Sequence, residues 1–259
     1  MLKYLCNFKK VLKGLLLFDN LYNGKLSRDQ HDKFVEKVMD NSLDNKASIS
    51  AIYRVKNGQA YIQMSILSIA PFVEEIIVID NNSSDLTVSL VKELQRKLSN
   101  IVTIKIYSYS EKLCLAGDSY LANLKEGRGG SLADYYNYCF GLGSKNFLMK
   151  VDAHYIFFPN EMIRIVNAIN SRVVDYITYR GVEIYGKDLS KEAFIFRRDI
   201  NWRFIDGERF EYLQFDDASE LVYETINHPV FLHTKRLTYS AFLSSAHSTR
   251  GVEKLYGVN

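Results

Sequence analysis

An apolar run that stops abruptly at small polar and acidic residues constrains the fold of this chain most. Residues 76–79 are four β-propensive residues, and residues 80–87 read Asp-Asn-Asn-Ser-Ser-Asp-Leu-Thr. The run predicts a parallel strand that is buried on both faces. Ser84 or Asp85 can cap the helix that follows, whose apolar positions recur at helical spacing: Val88, Val91, Leu94 and Leu98. Ligands of open α/β sheets bind beyond the carboxyl ends of the strands, so we expect Asp80 to face one. The alternative is a turn whose polar groups satisfy only their own backbone.

The predicted elements follow the order of a doubly wound sheet. Residues 49–55 form a strand-like run, and the helix after it ends at Pro71. Residues 102–106 alternate apolar and polar side chains, which predicts a third strand. Another apolar strand at 146–151 ends at Asp152. The order β-α-β-α-β indicates an α/β fold with a mostly parallel central sheet flanked by helices.

The composition excludes several classes of protein. The chain has 259 residues, of which 47% are hydrophobic and 24% charged, as in ordinary globular proteins. A net charge of +3 is too small to indicate a nucleic-acid partner. Cys6, Cys114 and Cys139 are widely spaced and form no disulfide or zinc pattern, which favours a reducing, cytoplasmic location.

The first 18 residues predict a basic amphipathic helix. Apolar residues that can share one face are Leu5, Phe8, Leu12, Leu15 and Leu16. The lysines Lys3, Lys9, Lys10 and Lys13 lie largely elsewhere. Such a helix can bind an anionic membrane surface, which would make the protein peripheral to a membrane, or it can pack on the domain. No stretch reaches the roughly 20 apolar residues that a membrane span needs.

Polar residues follow three predicted strands: Arg54 with Asn57, Asp80 with Asn82, and Asp152 with His154. Residues 52–57 read Ile-Tyr-Arg-Val-Lys-Asn, and residues 78–87 end in the Asp-Asn-Asn-Ser-Ser-Asp-Leu-Thr turn. Residues 130–137, Gly-Ser-Leu-Ala-Asp-Tyr-Tyr-Asn, lead from glycine into a helix that carries an Asn. Together these segments resemble the nucleotide-binding half of GT-A fold glycosyltransferases, particularly family 2.

The resemblance covers residues 48–160 and implies an organisation for the whole chain. An amphipathic helical extension at 1–46 would precede one GT-A domain at 47–259. Within that domain, residues 47–160 would form the nucleotide-binding half and residues 161–259 the acceptor half. The implied reaction moves a sugar from a nucleoside-diphosphate sugar to a glycan or lipid-linked acceptor.

The resemblance also implies roles for the strand-end residues. Asp80 would contact the base of the nucleotide sugar, with Asn82 in the same turn. Arg54 and Asn57 would line the same pocket, and Asp152 would hold the ribose or a metal ion.

The third motif departs from the family pattern, because His154 stands where a second metal-binding Asp is usual. Neutral imidazole can bind Mn²⁺ beside a carboxylate, whereas Mg²⁺ prefers oxygen, so of the two cations that the resemblance implies, Mn²⁺ or Mg²⁺, we expect Mn²⁺ to be favoured. Residues 231–236 resemble a late His-x-Lys segment by which GT-A enzymes reach the metal or the diphosphate. His233 would then bind metal, and Lys235 and Arg236 would bind phosphate. A metal-free site with cationic neutralisation, or a solvated basic turn, is the alternative.

An inverting transfer needs a carboxylate that accepts the proton of the acceptor hydroxyl. Residues 196–213 resemble a stretch of bacterial lipopolysaccharide glycosyltransferases in which a His-Glu pair carries the base. The match predicts Glu211 as the base, although Phe210 replaces the His, and we expect Phe210 and Tyr212 to shield it from water. Asp217 is the second candidate.

Two further functions remain open at this stage. A non-catalytic module that binds sugar nucleotides or glycans would explain the altered metal motif at His154. A nucleotidyltransferase on a similar sheet is less favoured, because no glycine-rich phosphate loop of that type follows the first strand.

Overall fold

The structure is a computed structural model that describes residues 33, 46–171, 174–183 and 193–235. Arg236 and the predicted helix at 1–18 lie outside the described residues. The strands are β1 (Ala47–Val55), β2 (Val73–Asp80), β3 (Thr103–Ser108), β4 (Phe147–Val151), β5 (Tyr155–Phe157), β6 (Tyr176–Glu183), β7 (Ala193–Arg197), β8 (Trp202–Asp206), β9 (Glu211–Phe215) and β10 (Tyr223–His233). The helices are α1 (Ile62–Ile69), α2 (Thr87–Lys97), α3 (Tyr120–Lys125), α4 (Leu132–Gly141), α5 (Pro159–Ser171) and a 3₁₀ turn at Ala218–Glu220.

Eight of the described strands form one sheet in the order β3-β2-β1-β4-β7-β6-β10-β5. The strands β1 to β4 run parallel to one another, and β6 runs parallel to β10. The strands β7 and β5 are antiparallel to their neighbours. The predicted fold class, an α/β fold with a mostly parallel sheet flanked by helices, is confirmed.

Each face of the sheet is covered by different elements. The helices α1, α2 and α5 pack on one face, where they bury residues such as Tyr53 and Met149. The helix α4 and the hairpin β8–β9 pack on the other face, against Ile52, Ile79 and Leu148. Within the described part of the chain, none of the helices combines the length and apolar character that crossing a bilayer requires.

Side chains alternate along the hairpin β8–β9 between the sheet and the solvent. The inward set packs toward α4 and the sheet and includes Trp202, Phe204, Leu213 and Phe215. The outward set includes Ile205 and Tyr212, which lie opposite each other in the register. A Cβ at Gly207 would come within 1.9 Å of the Tyr212 ring, so a larger residue in this turn would displace that exposed ring.

Two polar side chains fix the hairpin to α4. The side-chain amide of Asn137 donates to the Phe204 carbonyl at 2.9 Å and accepts from the Phe204 N–H at 2.8 Å. The Asp206 carboxylate accepts from the Ser131 hydroxyl at 2.6 Å and from the Ala133 N–H at 3.0 Å. A carboxylate at a helix amino terminus is favourable because the first N–H groups have no partner within the helix.

We expect Asn137→Ala to lower the free energy of unfolding by about 2 kcal/mol, because it leaves the N–H and C=O of Phe204 without partners. Urea denaturation measures the change. Asn167→Ala, at an exposed position of α5, is the matched control and should change stability by less than about 0.5 kcal/mol. Equal midpoints for the two variants would show that Asn137 does not hold the hairpin.

Candidate active site

The parallel register brings the two predicted strand-end carboxylates to one edge of the sheet. Val55 of β1 pairs with Asp80 of β2, and Tyr53 of β1 pairs with Val151 of β4. Asp152 directly follows Val151, so Asp80 and Asp152 flank the end of β1. We call this edge, where the parallel strands end, the carboxyl edge.

The turns after β1 and β2 hold each other in place through asparagine side chains. Asn57 has φ 54° and accepts the Ser84 N–H at 2.8 Å through its side-chain oxygen. Asn82 also has φ 54°, and its side-chain amide donates to the Ser110 carbonyl at 2.8 Å. Asparagine tolerates this left-handed conformation better than most residues. Asn57 and Asn82, which were both predicted to line the pocket, therefore stabilise the turns around Asp80 through side-chain hydrogen bonds.

Asp80 is 8% exposed and keeps one carboxylate oxygen without a hydrogen bond in the described part of the chain. Its other oxygen accepts the Ser83 N–H at 3.2 Å. The buried hydroxyl of Tyr135 interacts with the Cys139 thiol. Burial raises the pKa of Tyr135 well above its usual value, and Cys139 and the Asp80 charge add to this rise. Buried polar atoms are seldom left unpaired, so the Asp80 oxygen indicates a place for a polar ligand.

Arg54 forms a buried ion pair with Asp152 at the centre of this edge. The Arg54 side chain is 5% exposed, and its Nη2 lies 2.6 Å from Asp152 Oδ1. Its guanidinium carbon lies 4.0 Å from the centre of the Tyr136 ring. Its Nε and Nη1 have no hydrogen-bond partner among the described residues. The site thus contains a fixed cation with N–H groups available to an anion.

Charges around Asp152 keep its carboxylate ionised. Burial opposes ionisation, yet Lys150 and Arg54 hold the pKa of Asp152 well below its usual range. Lys150 was not predicted from the sequence as a site residue. A lysine inside the otherwise apolar strand β4, Phe-Leu-Met-Lys-Val, is the feature that could have indicated it.

Glu211 begins β9 on the inward face of the hairpin and reaches the same group of residues. The Tyr136 pKa lies well above its usual value, first because of burial, and a hydrogen bond with Glu211 contributes to the rise. Glu211 is also one of the negative charges that raise the pKa of Arg54 although burial opposes the rise. The structure therefore brings Glu211 together with Arg54 and Tyr136.

The neighbours of Glu211 differ from those we expected. Phe210 and Tyr212 are 42% and 47% exposed, and Tyr212 lies on the outward face of the hairpin. The expectation that these two rings shield Glu211 is wrong, because successive side chains of a strand point to opposite faces. Tyr136 and Arg54 surround it instead.

The structure places Asp217 at the other end of the sheet from Asp80 and Asp152. Asp217 follows the far end of β9, where Phe215 contacts Tyr176 at the start of β6. The start of β6 lies at the opposite edge of the sheet, which we call the amino edge. Asp217 is exposed there and does not reach Asp80 or Asp152.

Two histidines lie beside Asp152 at the carboxyl edge. His154 Nε2 is 4.0 Å from Asp152 Oδ2, and the rings of His154 and His233 are nearly perpendicular with centres 4.5 Å apart. Burial, more than any charge, lowers the pKa of His154 to about 4, although Asp152 acts in the opposite direction. The His154 ring is therefore neutral at pH 7. Lys235 follows nearby, and its carbonyl accepts the Tyr61 hydroxyl at 3.1 Å.

Asp152, His154 and His233 are donors of types that a divalent cation accepts, but their arrangement does not form a metal site. Among the described residues, no group of three or more His, Cys, Asp or Glu side chains could hold a metal ion. Adjacent ligands of an octahedral ion, each about 2.1 Å from it, lie about 3 Å apart. The 4.0 Å between Asp152 and His154 exceeds that spacing. The ionised carboxylate and the neutral imidazole are nevertheless donors that Mn²⁺ accepts.

A separate open cleft of about 450 Å³ lies at the amino edge. Its lining residues are Asn146, Phe147, Ile169, Val174, Arg197, Arg198 and Asp199. Arg197 is already paired with Asp175 at 2.8 Å and with Asp199 at 2.6 Å. We place the functional site at the carboxyl edge, because Asp80 Oδ1 and the Nε and Nη1 atoms of Arg54, which have no hydrogen-bond partner among the described residues, lie there.

We expect Arg54→Met to lower the free energy of unfolding by about 2 to 3 kcal/mol, because it removes the hydrogen-bonded counter-charge of the Asp152 carboxylate and leaves only Lys150 nearby. Adding Asp152→Asn should recover part of that loss. Urea denaturation at pH 7 measures both changes. Arg128→Met breaks the exposed pair with Glu126 and should cost less than about 1 kcal/mol. A loss no larger than that of the Arg128 variant would contradict the buried ion pair.

The chain was compared with known proteins by sequence and by structure. No family model matches it, and no curated protein matches it. One similar solved structure is S. aureus TarS 1-349, with 14% identity and a TM-score of 0.49, covering 74% of this chain and 62% of that one. A second is the mannosyltransferase PcManGT from Pyrobaculum calidifontis, solved with GDP-Man and Mn²⁺, with 13% identity, a TM-score of 0.47 and coverages of 79% and 62%. A third is glucosyl-3-phosphoglycerate synthase from Mycobacterium tuberculosis, with 14% identity, a TM-score of 0.46 and coverages of 86% and 84%. This chain spans about three fifths of the length of the first two.

Proposed function

We propose that this protein is a glycosyltransferase that moves a sugar from a nucleoside-diphosphate sugar to a glycan or lipid-linked acceptor, with inversion. The observation that carries the proposal is the grouping of Asp80, the Arg54–Asp152 ion pair and Glu211 at the carboxyl edge. In such a group, Asp80 would accept a hydrogen bond from the nucleotide base and Arg54 would bind the phosphates. The Glu211 carboxylate would take the proton of the acceptor hydroxyl. The turn sequences at 52–57 and 78–87 support the same assignment through their family resemblance.

The donor nucleotide would bind between the turns after β1, β2 and β4. The unpaired oxygen of Asp80 can accept an N–H of the base. The Nε and Nη1 groups of Arg54 can donate to phosphate oxygens. Asp152, whose carboxylate binds Arg54 and also accepts a hydrogen bond from Tyr155, would contact the ribose hydroxyls or a cation.

Glu211 would act as the general base. Its carboxylate takes the proton of the acceptor hydroxyl while that oxygen bonds to the anomeric carbon, and the bond from this carbon to the diphosphate breaks on the opposite side. The nucleoside diphosphate leaves with the bonding electron pair. The Tyr136 hydroxyl, which is the partner of Glu211, would orient the carboxylate.

A divalent cation, when bound, would supply charge neutralisation for the departing diphosphate. Asp152, His154 and His233 remain the predicted donors, and Mn²⁺ suits this mixed donor set better than Mg²⁺. Lys235 and Arg236 remain predicted phosphate ligands, and Arg236 lies outside the described residues.

Residues 1–18 remain predicted to form a helix that binds the membrane surface, in a protein predicted to be cytoplasmic. That helix also lies outside the described residues.

We expect Asp80→Asn to weaken binding of a nucleoside diphosphate by about 10- to 100-fold, because a hydrogen bond to a charged group contributes about 1.5 to 3 kcal/mol. Isothermal titration with UDP and GDP measures the affinity. Asp199→Asn, which alters the amino-edge cleft, is the control and should leave binding unchanged. Loss of binding in the Asp199 variant but not in the Asp80 variant would indicate that the nucleotide binds in the amino-edge cleft instead.

We expect Glu211→Gln to reduce turnover by about 10² to 10⁴ fold, because it keeps the shape of the side chain and removes its basicity. A thermal-shift panel of nucleotide sugars selects the donor, and release of nucleoside diphosphate with water or a glycan as acceptor reports turnover. Asp217→Asn at the amino edge should retain activity.

Three results would count against the Glu211 assignment. Near-normal turnover of the Glu211 variant would exclude this residue as the base. A product that keeps the anomeric configuration of the donor would exclude inversion. Nucleotide-sugar binding by the wild type without any turnover would instead support a non-catalytic binding module.

A further inference from the structure

Two residues of the segment 80–87, Asp85 and Thr87, have no part in the proposed chemistry. Thr87 is the first residue of α2 and is fully buried, with 0% of its surface exposed. Asp85 lies two residues earlier and is partly buried. A buried hydroxyl needs hydrogen-bond partners, so the groups that Thr87 binds indicate its role.

The Thr87 hydroxyl joins the turn after β1 to the carboxylate of Asp85. It accepts the Gly58 N–H at 2.7 Å and donates to Asp85 Oδ1. Asp85 Oδ2 accepts the next N–H of the same turn, that of Gln59, at 3.1 Å. Burial opposes ionisation of Asp85, but the hydrogen bonds from Thr87 and Gln59 lower the pKa of its carboxyl group. Two successive N–H groups after β1 are therefore held from the turn after β2.

Gly58 lies where three turns approach one another. A Cβ on this residue would come within 2.8 Å of Val55 Cγ1 at the end of β1 and 3.3 Å of Ala153 Cβ in the turn after β4. Glycine thus allows the backbone to pass close to both, and it brings the Gly58 N–H to Thr87. Ala153 directly follows Asp152, so the hydrogen bond between Gly58 and Thr87 holds the turn after β2 close to the residues that carry Asp152.

The segment from Asp80 to Thr87 is also joined to β1 near its start. The Asn81 N–H donates to the Val55 carbonyl at 2.8 Å, and the Ser83 N–H donates to Asp80 Oδ2 at 3.2 Å. Thr87 anchors the other end of the segment. The position of the Asp80 carboxylate therefore depends on contacts at both ends.

We propose that Thr87 and Asp85 are positioning residues that hold the turn after β2 against the turn after β1, so that Asp80 Oδ1 faces the nucleotide base. This inference rests on the proposed function, because it is the donor nucleotide that Asp80 binds. A purely structural role predicts a different result. The same hydrogen bonds would then only stabilise the start of α2, and their loss would lower stability without a specific effect on nucleotide binding.

The chain provides a matched control in Ser68. Like Thr87, Ser68 is 0% exposed, and its hydroxyl accepts a backbone N–H from another element, that of Phe157 in β5, at 3.0 Å. It donates to the Ser65 carbonyl at 2.7 Å. Ser68 lies in the last turn of α1, which leads from the carboxyl edge back to the start of β2. Ser68→Ala therefore leaves a buried N–H without its acceptor, as Thr87→Val does, but away from the nucleotide pocket.

The first experiment follows hydrogen exchange of the Asn81 N–H by NMR, which needs no nucleotide. We expect exchange to be at least about 10-fold faster in Thr87→Val than in Ser68→Ala, because the turn that carries Asp80 opens locally once its anchor is lost. Thr87→Ser keeps the hydroxyl and should match the wild type. If Thr87→Val does not fold, Asp85→Ala, at a partly buried position, carries the same expectation. An exchange rate no faster than that of Ser68→Ala would overturn the proposal.

The second experiment titrates the same proteins with UDP and GDP by calorimetry. We expect Thr87→Val to weaken binding of the nucleotide that the wild type binds more tightly by about 10-fold, at the lower end of the effect expected for Asp80→Asn. Thr87→Ser and Ser68→Ala should bind like the wild type. Equal loss of affinity in Thr87→Val and Ser68→Ala would contradict a positioning role.

A double-mutant cycle tests whether Thr87 acts through Asp80. In the Asp80→Asn background, Thr87→Val should weaken nucleotide binding by less than about 2-fold, because the hydrogen bond that Thr87 positions is already lost. A further loss of about 10-fold in that background would show that Thr87 acts on the nucleotide independently of Asp80, and the positioning role would be wrong.

The positioning role and the proposed function fail in different ways. If exchange of the Asn81 N–H depends on Thr87 but the wild type binds neither UDP nor GDP, Thr87 still holds the Asp80 turn and the glycosyltransferase proposal fails. If the wild type binds a nucleotide and Thr87→Val changes neither exchange nor affinity relative to Ser68→Ala, the positioning role fails and nucleotide binding stands.

Discussion

The buried ion pair between Arg54 and Asp152 is the interaction on which the rest of the site depends. It joins the ends of β1 and β4 on the face of the sheet that α4 covers, and the Tyr136 ring of α4 lies against the guanidinium. Removing a guanidinium from water is expensive, so Arg54 is tolerated only because Asp152, Tyr136 and Glu211 surround it. The same cation therefore connects the donor side of the site with the candidate base.

The scaffold around this pair explains why the groups meet. Parallel pairing of β1 with β2 and β4 brings Asp80 and Asp152 to one edge without any special contact between them. Glu211 is positioned differently, because the hairpin that carries it is held to α4 through Asn137 and Asp206. The positions of Asp80 and Asp152 are thus set by the sheet, whereas the position of Glu211 is set by the packing of a hairpin on a helix.

Sequence patterns predicted the first half of the fold because its signals are local. Apolar runs and helical spacing indicated the strands and helices that lead to Asp80 and Asp152, and the structure follows that order. The second half could not be ordered in this way. The pairing of β6 with β10 joins distant parts of the chain, and the register of the hairpin decides that Glu211 turns inward while Tyr212 turns outward. Local composition around these acids does not distinguish Glu211 from Asp217, which only the three-dimensional packing separates.

A crystal structure with a bound nucleoside diphosphate tests the central claim most directly. We expect the nucleotide base against Asp80 Oδ1 and the diphosphate within hydrogen-bond distance of Arg54, at the carboxyl edge. Both UDP and GDP should be soaked with Mn²⁺ present. A nucleotide bound instead in the amino-edge cleft beside Arg197 and Arg198, with Asp80 and Arg54 untouched, would contradict the account.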